Sequence, residues 1–342
     1  MAGSPLSFLF INVSRIGDTM FSIPAMLAVA TAYPGSAIVA LAHPRRVDVL
    51  RELPFLTKVG TISKRTAWSR ARLGCGVGYD FAFVYGFDKP LVRYALRAAR
   101  QVVAFRQNDL ALDRRLYRCV SVPPFQSEHS VMQCLRLPAA LGVAPAGLRL
   151  CYRVLPAEVA EARARLAADV PPTATPLIGL QVASFPTKGY RDWPVAQFLE
   201  LAQRIVRDWP QAHFIIYGGT EERERVQWLK QALKQRATLY AGRLTLRQTA
   251  AVMSLTDLYV GVDTGPTHLM STFDIPLVGL YHCLSSSRHT GPLEHPCFYP
   301  VEHSRARDDC DERVAMAEIT VDAVYTAVQR ALRERVPPAA IR

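Results

Sequence analysis

The chain has 342 residues, of which 50% are hydrophobic and 20% charged, with 24 Pro and 19 Gly; this is the make-up of folded protein and excludes a disordered or low-complexity polymer. Its 41 Lys and Arg outnumber its 29 Asp and Glu, and the excess is lopsided: residues 1–150 hold 19 basic against 8 acidic side chains, the remainder 22 against 21. Such a positive half suits nucleic acid, a membrane surface or a phosphorylated substrate, and charge alone neither chooses among these nor excludes simple solubility.

The length favours two domains. Ser7 to Val13 is a buried-strand pattern, followed by the turn Ser14-Arg15-Ile16-Gly17-Asp18 and a predicted helix over 21–33 with Pro24 in its first turn. Ala37 to Ala42 is the next apolar run, so the chain opens strand, helix, strand; further strands are predicted at 59–62, 81–85 and 101–105. A helix is predicted over 157–168, then a Pro-rich break at 171–176 that reads as a linker. Beyond it strands at 177–182, 213–217, 238–240, 258–262 and 277–280 alternate with helices at 195–208, 221–235, 245–254 and 268–273, and an amphipathic helix closes the chain over 321–335. The alternation implies α/β architecture: parallel sheets covered by helices on both faces. No run reaches the ~18 apolar residues of a membrane span, and the N-terminus lacks the basic stretch of a signal peptide.

Seven Cys, an odd number and without a C-x-x-C pair, are expected to be reduced thiols. His282, Cys283, His295 and Cys297 lack finger-like spacing and read as buried thiols and loop histidines rather than zinc ligands. Asp309-Cys310-Asp311 lies in a polar run and reads as a solvated loop. There is no G-x-x-x-x-G-K-[ST], which excludes a P-loop nucleotidase.

Four loops that follow strands carry candidate chemistry. Asp263-Thr264-Gly265-Pro266-Thr267-His268 opens a helix, whose first N–H groups and dipole suit a phosphate; Asp, Thr and Gly also make ordinary turns and caps. Asp18 is placed either to cap its helix or to act as a general base, with Arg15 beside it for an anion. Ser184, Thr187, Lys188 and Arg191 lie in a loop ending in Trp193-Pro194, and its two cations could neutralise a diphosphate leaving group. Glu221 and Glu222, after Gly218-Gly219, suit ribose hydroxyls or a helix cap.

Together these loops resemble glycosyltransferase family 9, the heptosyltransferases of lipopolysaccharide inner-core synthesis. The resemblance rests on the stretch 11–18 with Ser22-Ile23-Pro24-Ala25, on 188–194, on Gly242-Arg243-Leu244-Thr245-Leu246, on 263–269 as the most specific piece, and on 315–319; it is weak over 60–150. It implies a GT-B fold: a Rossmann-like acceptor domain over 1–170, a Rossmann-like nucleotide-sugar domain over 171–318, and a last helix over 319–342 returning to the first domain. It implies an inverting, metal-independent transfer of heptose from ADP-heptose to an anionic, lipid-linked acceptor, by a monomer without a cofactor at the cytoplasmic face of the inner membrane. Asp18 would be the base. Ser184, Thr187, Lys188, Arg191, Thr264, Gly265, Pro266 and His268 would bind the donor, Glu221 or Glu222 its ribose, and Asp263 would orient the sugar or its loop. Arg15, Arg65, Arg70, Arg72 and Arg93 become acceptor candidates, in a basic half that also carries Arg45, Arg46, Lys64 and Arg97. The stretch Tyr281 to Ser287 departs from the family's Gly-Pro-Thr turn, which leaves a relative using another nucleotide sugar as the alternative. An anionic-polymer-binding protein is the alternative of another class.

Overall fold

A computed structural model describes residues 5–73, 76–124, 127–184, 186–219, 223–305 and 309–334. The chain divides into two compact units, Met1–Arg153 and Val154–Arg342.

The first unit runs β1 (Ser7–Asn12), α1 (Ile16–Phe21), α2 (Ile23–Ala32), β2 (Ala37–Ala42), β3 (Lys58–Thr61), α3 (Lys64–Leu73), β4 (Tyr79–Val84), α4 (Lys89–Ala98), β5 (Ala99–Phe105), α5 (Leu110–Asp113), β6 (Arg118–Val120) and α6 (Ser130–Ala139). The strands are all parallel, in the order β3-β2-β1-β4-β5-β6. β1 is central and covered on both faces, so its apolar run is continuous rather than alternating. Phe8 and Phe10 stack with Phe83 of β4, while Leu9 and Ile11 belong to the core that Leu91, Val92 and Ala95 of α4 complete.

The second unit runs α7 (Pro156–Asp169), β7 (Leu177–Gln181), α8 (Val195–Asp208), β8 (His213–Tyr217), α9 (Arg223–Leu233), β9 (Ala237–Leu239), α10 (Leu246–Met253), β10 (Leu258–Val262), α11 (Gly265–Met270), β11 (Leu277–Tyr281), α12 (Ser287–Thr290), β12 (Phe298–Glu302) and α13 (Val321–Glu334). Its strands are also parallel, in the order β12-β11-β10-β7-β8-β9. Large rings fill the sheet by lying over glycines: a Cβ on Gly261 would meet the Tyr259 ring at 2.7 Å, and one on Gly279 the Tyr281 ring at 2.7 Å. Each sheet therefore repeats one doubly wound order, which reverses between β1 and β4 in the first unit and between β7 and β10 in the second. Ligands of such sheets sit beyond the carboxyl ends of the strands at that reversal.

Several sequence expectations change. The helix expected over 21–33 is two helices meeting at Ser22, whose hydroxyl donates to Thr19 O and accepts from Asn12 Nδ2. The short strands β6 and β12 and helices α3 to α6 were not expected. The units part at Arg153/Val154, ahead of α7 rather than at 170/171, because α7 is tied into the second unit: Glu158 accepts from Arg247 Nη2 at 2.6 Å and Asp169 from the Tyr240 hydroxyl at 2.7 Å. The Pro-rich stretch 171–176 thus joins α7 to β7 within one unit. Of the stretch 319–342, the described helix α13 buries Val321, Val324, Val328 and Leu332 in the core beneath β10, β11 and β12 of the second unit. With this boundary the first unit holds 20 basic against 8 acidic residues and the second 21 against 21, so the entire net charge of +12 belongs to the first.

Candidate active site

At the β7/β10 reversal of the second unit the structure assembles a buried carboxylate and its donors. Asp263, directly after β10, is 2% exposed. Its Oδ2 accepts from Arg191 Nη1 at 2.6 Å and from the Ser285 hydroxyl, and its Oδ1 faces His268 Nε2 at 3.4 Å. A carboxylate so far from water needs such partners, since burying it unpaired would cost several kcal/mol. One side chain thereby ties together the loops after β7, β10 and β11.

The loop after β7 has its own frame. Asp192 accepts from the Ser184 N–H at 2.6 Å and from Arg225 Nη1 at 2.5 Å, and the Ser184 hydroxyl donates to Lys188 O at 2.8 Å. Ser184 is thus a scaffold of the turn. Thr187 is exposed in the same turn. Trp193 is fully buried, edge-on to Phe198, and its Nε1–H donates to Ile319 O at 2.8 Å. That bond couples two stretches, 188–194 and 315–319, which the sequence relates only through the resemblance.

The two cations differ in freedom. Arg191 is fixed by Asp263, and its guanidinium lies 5.6 Å from the centre of the Tyr190 ring. Lys188 meets only the exposed Glu312 at 3.7 Å and the Tyr190 ring at 5.2 Å among its described charge and ring contacts. Thr264 precedes α11 in extended conformation with no side-chain cap bond, Gly265 and Pro266 open the helix, and Thr267 turns inward to Val262 O at 2.6 Å. Gly242, at φ +66°, ends the turn before Thr245, which caps α10 by accepting from Gln248 N–H at 3.2 Å. Glu221 and Glu222 lie outside the described residues.

The sequence marks the stretch 281–287 only as a departure from the family's turn and gives no role to Ser285, which the structure brings onto Asp263. His282 is buried at the end of β11, its ring edge-on to Tyr190 at 5.0 Å, and burial holds its pKa below the usual histidine range. Cys283 is bonded to Cys310. This corrects the expectation of scattered reduced thiols and of Asp309-Cys310-Asp311 as a plain solvated loop; a pairing 27 residues apart has no local signal. His295, which the sequence grouped with His282, bonds instead to Phe273 O and the Cys297 N–H. A cavity of about 690 Å³ bordered by Thr173, Pro210 and His213 opens at the amino ends of the strands, away from all of these loops.

In the first unit, Asp18 is exposed in the first turn of α1, at the β1/β4 reversal, and its Oδ2 accepts the Arg15 N–H at 3.3 Å. The capping role is therefore present, and it leaves the second carboxylate oxygen for other work. Arg46 reaches the same turn, donating to Ser14 O at 2.7 Å and Val13 O at 3.2 Å; burial and then the charge of Arg15 lower its pKa. The other basic residues lie farther along. Arg65, Arg70 and Arg72 are exposed on α3, Arg72 over the half-exposed Trp68 at 4.0 Å, and Arg93 is exposed on α4. Lys64 pairs with Asp88 at 2.6 Å.

Two Rossmann-type sheets with loops so furnished point to relatives that transfer sugars. The family model described as glycosyltransferase family 9 (heptosyltransferase) matches residues 105–308. Over 299 residues the chain is 28% identical to lipopolysaccharide heptosyltransferase 1 of Pseudomonas aeruginosa, covering 80% of this chain and 78% of that protein. The solved structure of a family 9 glycosyl transferase from Veillonella parvula superposes with a TM-score of 0.83 at 16% identity, covering 98% of this chain and 99% of that one. That of the E. coli ADP-heptose lipopolysaccharide heptosyltransferase II gives 0.78 at 18%, covering 96% and 99%. These likenesses establish the GT-B class of fold. Because the family model spans more than half of the sequence, from the last residue of β5 to beyond β12, the chain belongs to glycosyltransferase family 9 and is a glycosyltransferase.

Proposed function

We propose that the protein transfers heptose from ADP-heptose to an anionic, lipid-linked acceptor of the lipopolysaccharide inner core, with inversion and without a metal ion in the transfer step. The observation that carries this reading is the Arg191–Asp263–Ser285 network at the sheet reversal, supported by the names of the relatives.

In this reading Asp18 accepts the proton of the acceptor hydroxyl as its oxygen attacks the anomeric carbon, and the bond from that carbon to the diphosphate breaks with its electron pair on ADP. Negative charge gathers on the departing diphosphate. Arg191, already aimed by Asp263, and Lys188 meet it, joined by the N–H of Gly265 at the start of α11 and the hydroxyl of Thr264; fixed donors and cations do this without reorganising. Pro266 sets the first turn of α11, His268 buttresses Asp263, and Asp263 directs the sugar side of the donor. Ser184 and Thr187 shape the turn that carries Lys188. Glu221 or Glu222 serves the ribose.

The acceptor belongs to the first unit, where Arg15 and Arg46 flank Asp18. The exposed arginines Arg65, Arg70, Arg72 and Arg93 gather a phosphorylated glycolipid and hold a monomeric enzyme against an anionic bilayer at the cytoplasmic face. No helix among the described residues is long and apolar enough to cross a membrane. The loop after β11 favours one second reading, a different nucleotide sugar, since Ser285 reaches Asp263 from a stretch unlike the family's Gly-Pro-Thr turn. Thermal shift with a donor panel separates the two: stabilisation by ADP-heptose and not by UDP-sugars is expected, and the reverse pattern would transfer the assignment to the second reading.

A further inference from the structure

Three metal-binding side chains converge behind the donor loops. His282 Nδ1 lies 3.8 Å from Cys283 Sγ and 3.9 Å from Cys310 Sγ. The group is buried except at Cys310, which is half-buried and borders a cavity of about 440 Å³ with Asp311 and Arg313. We propose that, once the Cys283–Cys310 bond is reduced, His282, Cys283 and Cys310 bind one soft divalent cation of the zinc type.

Distances and tautomer both fit. Zn–S bonds of ~2.3 Å and Zn–N bonds of ~2.0 Å place a nitrogen and a sulfur on one tetrahedral ion about 3.5 Å apart, close to the separations observed. His282 Nε2 bonds to Val314 O at 3.0 Å, so that nitrogen carries the hydrogen and Nδ1 the lone pair, which in the disulfide form accepts from the Leu284 N–H at 3.1 Å. A backbone carbonyl on the far nitrogen is also what orients a metal-bound histidine. On reduction the ion takes that lone pair in place of the Leu284 N–H. The Cα atoms of the two cysteines stand 5.9 Å apart, and rotation of the half-buried Cys310 side chain opens the sulfurs to the ~3.8 Å that a shared zinc requires. The cavity beside Cys310 admits a water as fourth ligand.

The chemistry closes. Two small-molecule thiols reduce the disulfide, giving two cysteine thiols and one external disulfide. The ion then displaces both thiol protons and binds two thiolates and the neutral imidazole. The cation is structural: it ties the end of β11 to the 309–314 segment, and none of its ligands belongs to the residues assigned to donor or acceptor.

Full-length protein reduced with a phosphine under argon, and cleared of excess reductant, is titrated with Co²⁺. One equivalent is expected to give thiolate-to-cobalt charge-transfer absorption and the visible bands of a tetrahedral site, both abolished by Zn²⁺. Cys310→Ser is expected to lose most of the charge-transfer band and His282→Ala to bind at least tenfold more weakly, while Cys297→Ser is unchanged. Alkylation mapping of wild-type protein guards against misfolded variants: Zn²⁺ is expected to protect Cys283 and Cys310 and not the exposed Cys119. Absence of Co²⁺ uptake by the reduced protein, or unprotected Cys283 and Cys310, would overturn the proposal.

Discussion

Arg191 Nη1 stands 2.6 Å from Asp263 Oδ2 and joins the loop after β7 to the loop after β10 across the reversal of the second sheet. The carboxylate is buried and the guanidinium partly so. Each therefore fixes the other, and Ser285 adds the loop after β11 to the same oxygen. The three strand ends that border the crevice are locked before any donor arrives.

Substitutions in this network have ordered effects. Asp263→Ala strands the Arg191 guanidinium and the Ser285 hydroxyl in a buried setting, at a cost of about 1–3 kcal/mol in stability. Arg191→Ala removes the preorganised cation and is expected to lower kcat by about 100-fold, whereas Lys188→Ala, a cation without rigid support, lowers it by about tenfold. Steady-state kinetics on folded variants measure this; equal losses would remove the distinction between the two cations.

The charge of the first unit has its own test. Reversing Arg65, Arg70, Arg72 and Arg93 to Glu together is expected to weaken binding to vesicles containing anionic lipid and to raise KM for the acceptor, with donor affinity unchanged. Vesicle sedimentation and donor calorimetry on the same variant are the readouts. An equal loss of both would detach these arginines from the acceptor.

Stability should depend on pH through His213. Thr238 Oγ1 donates to Asp169 O at 3.1 Å and so accepts from His213 Nε2–H at 2.9 Å, which places a hydrogen on Nε2 of this buried ring. Burial, and secondarily Lys230, lower its pKa to about 4. Between that value and the ~6.5 of an unfolded chain the unfolded state binds more protons, so the contribution is fully present above pH ~6.5 and is lost as pH falls toward 4; it amounts to about 3 kcal/mol at most. Melting curves at pH 7.5 and 5 should differ less for His213→Gln than for the parent chain, and an identical difference would remove His213 as a source.

Much of this was legible before any coordinates. Continuous apolar strands such as 258–262, each followed by a turn and a helix, placed Asp18, Ser184 and Asp263 at the carboxyl ends of parallel strands. The sequence carries no such signal for contacts between distant loops. Ser285, 22 residues from Asp263, and Cys310, 27 from Cys283, are brought in by sheet order. The edge strands β6 and β12 were missed because their exposed positions break the apolar run, as in Arg118-Cys119-Val120. The unit boundary was misplaced because a Pro-rich stretch reads as a linker, while the ion pair of Glu158 with Arg247 that holds α7 is 89 residues long in sequence.

Transfer itself is the most direct measurement. Purified protein is incubated with ADP-heptose and an inner-core glycolipid without added Mg²⁺ or Mn²⁺; product mass is read by mass spectrometry and anomeric configuration by NMR. The account predicts acceptor heavier by one heptose with stoichiometric ADP, inverted anomeric configuration, and for Asp18→Asn donor binding intact but transfer reduced at least 100-fold, the scale of a lost general base. Near-normal turnover by Asp18→Asn, or no heptosylated product from the parent protein, would contradict it.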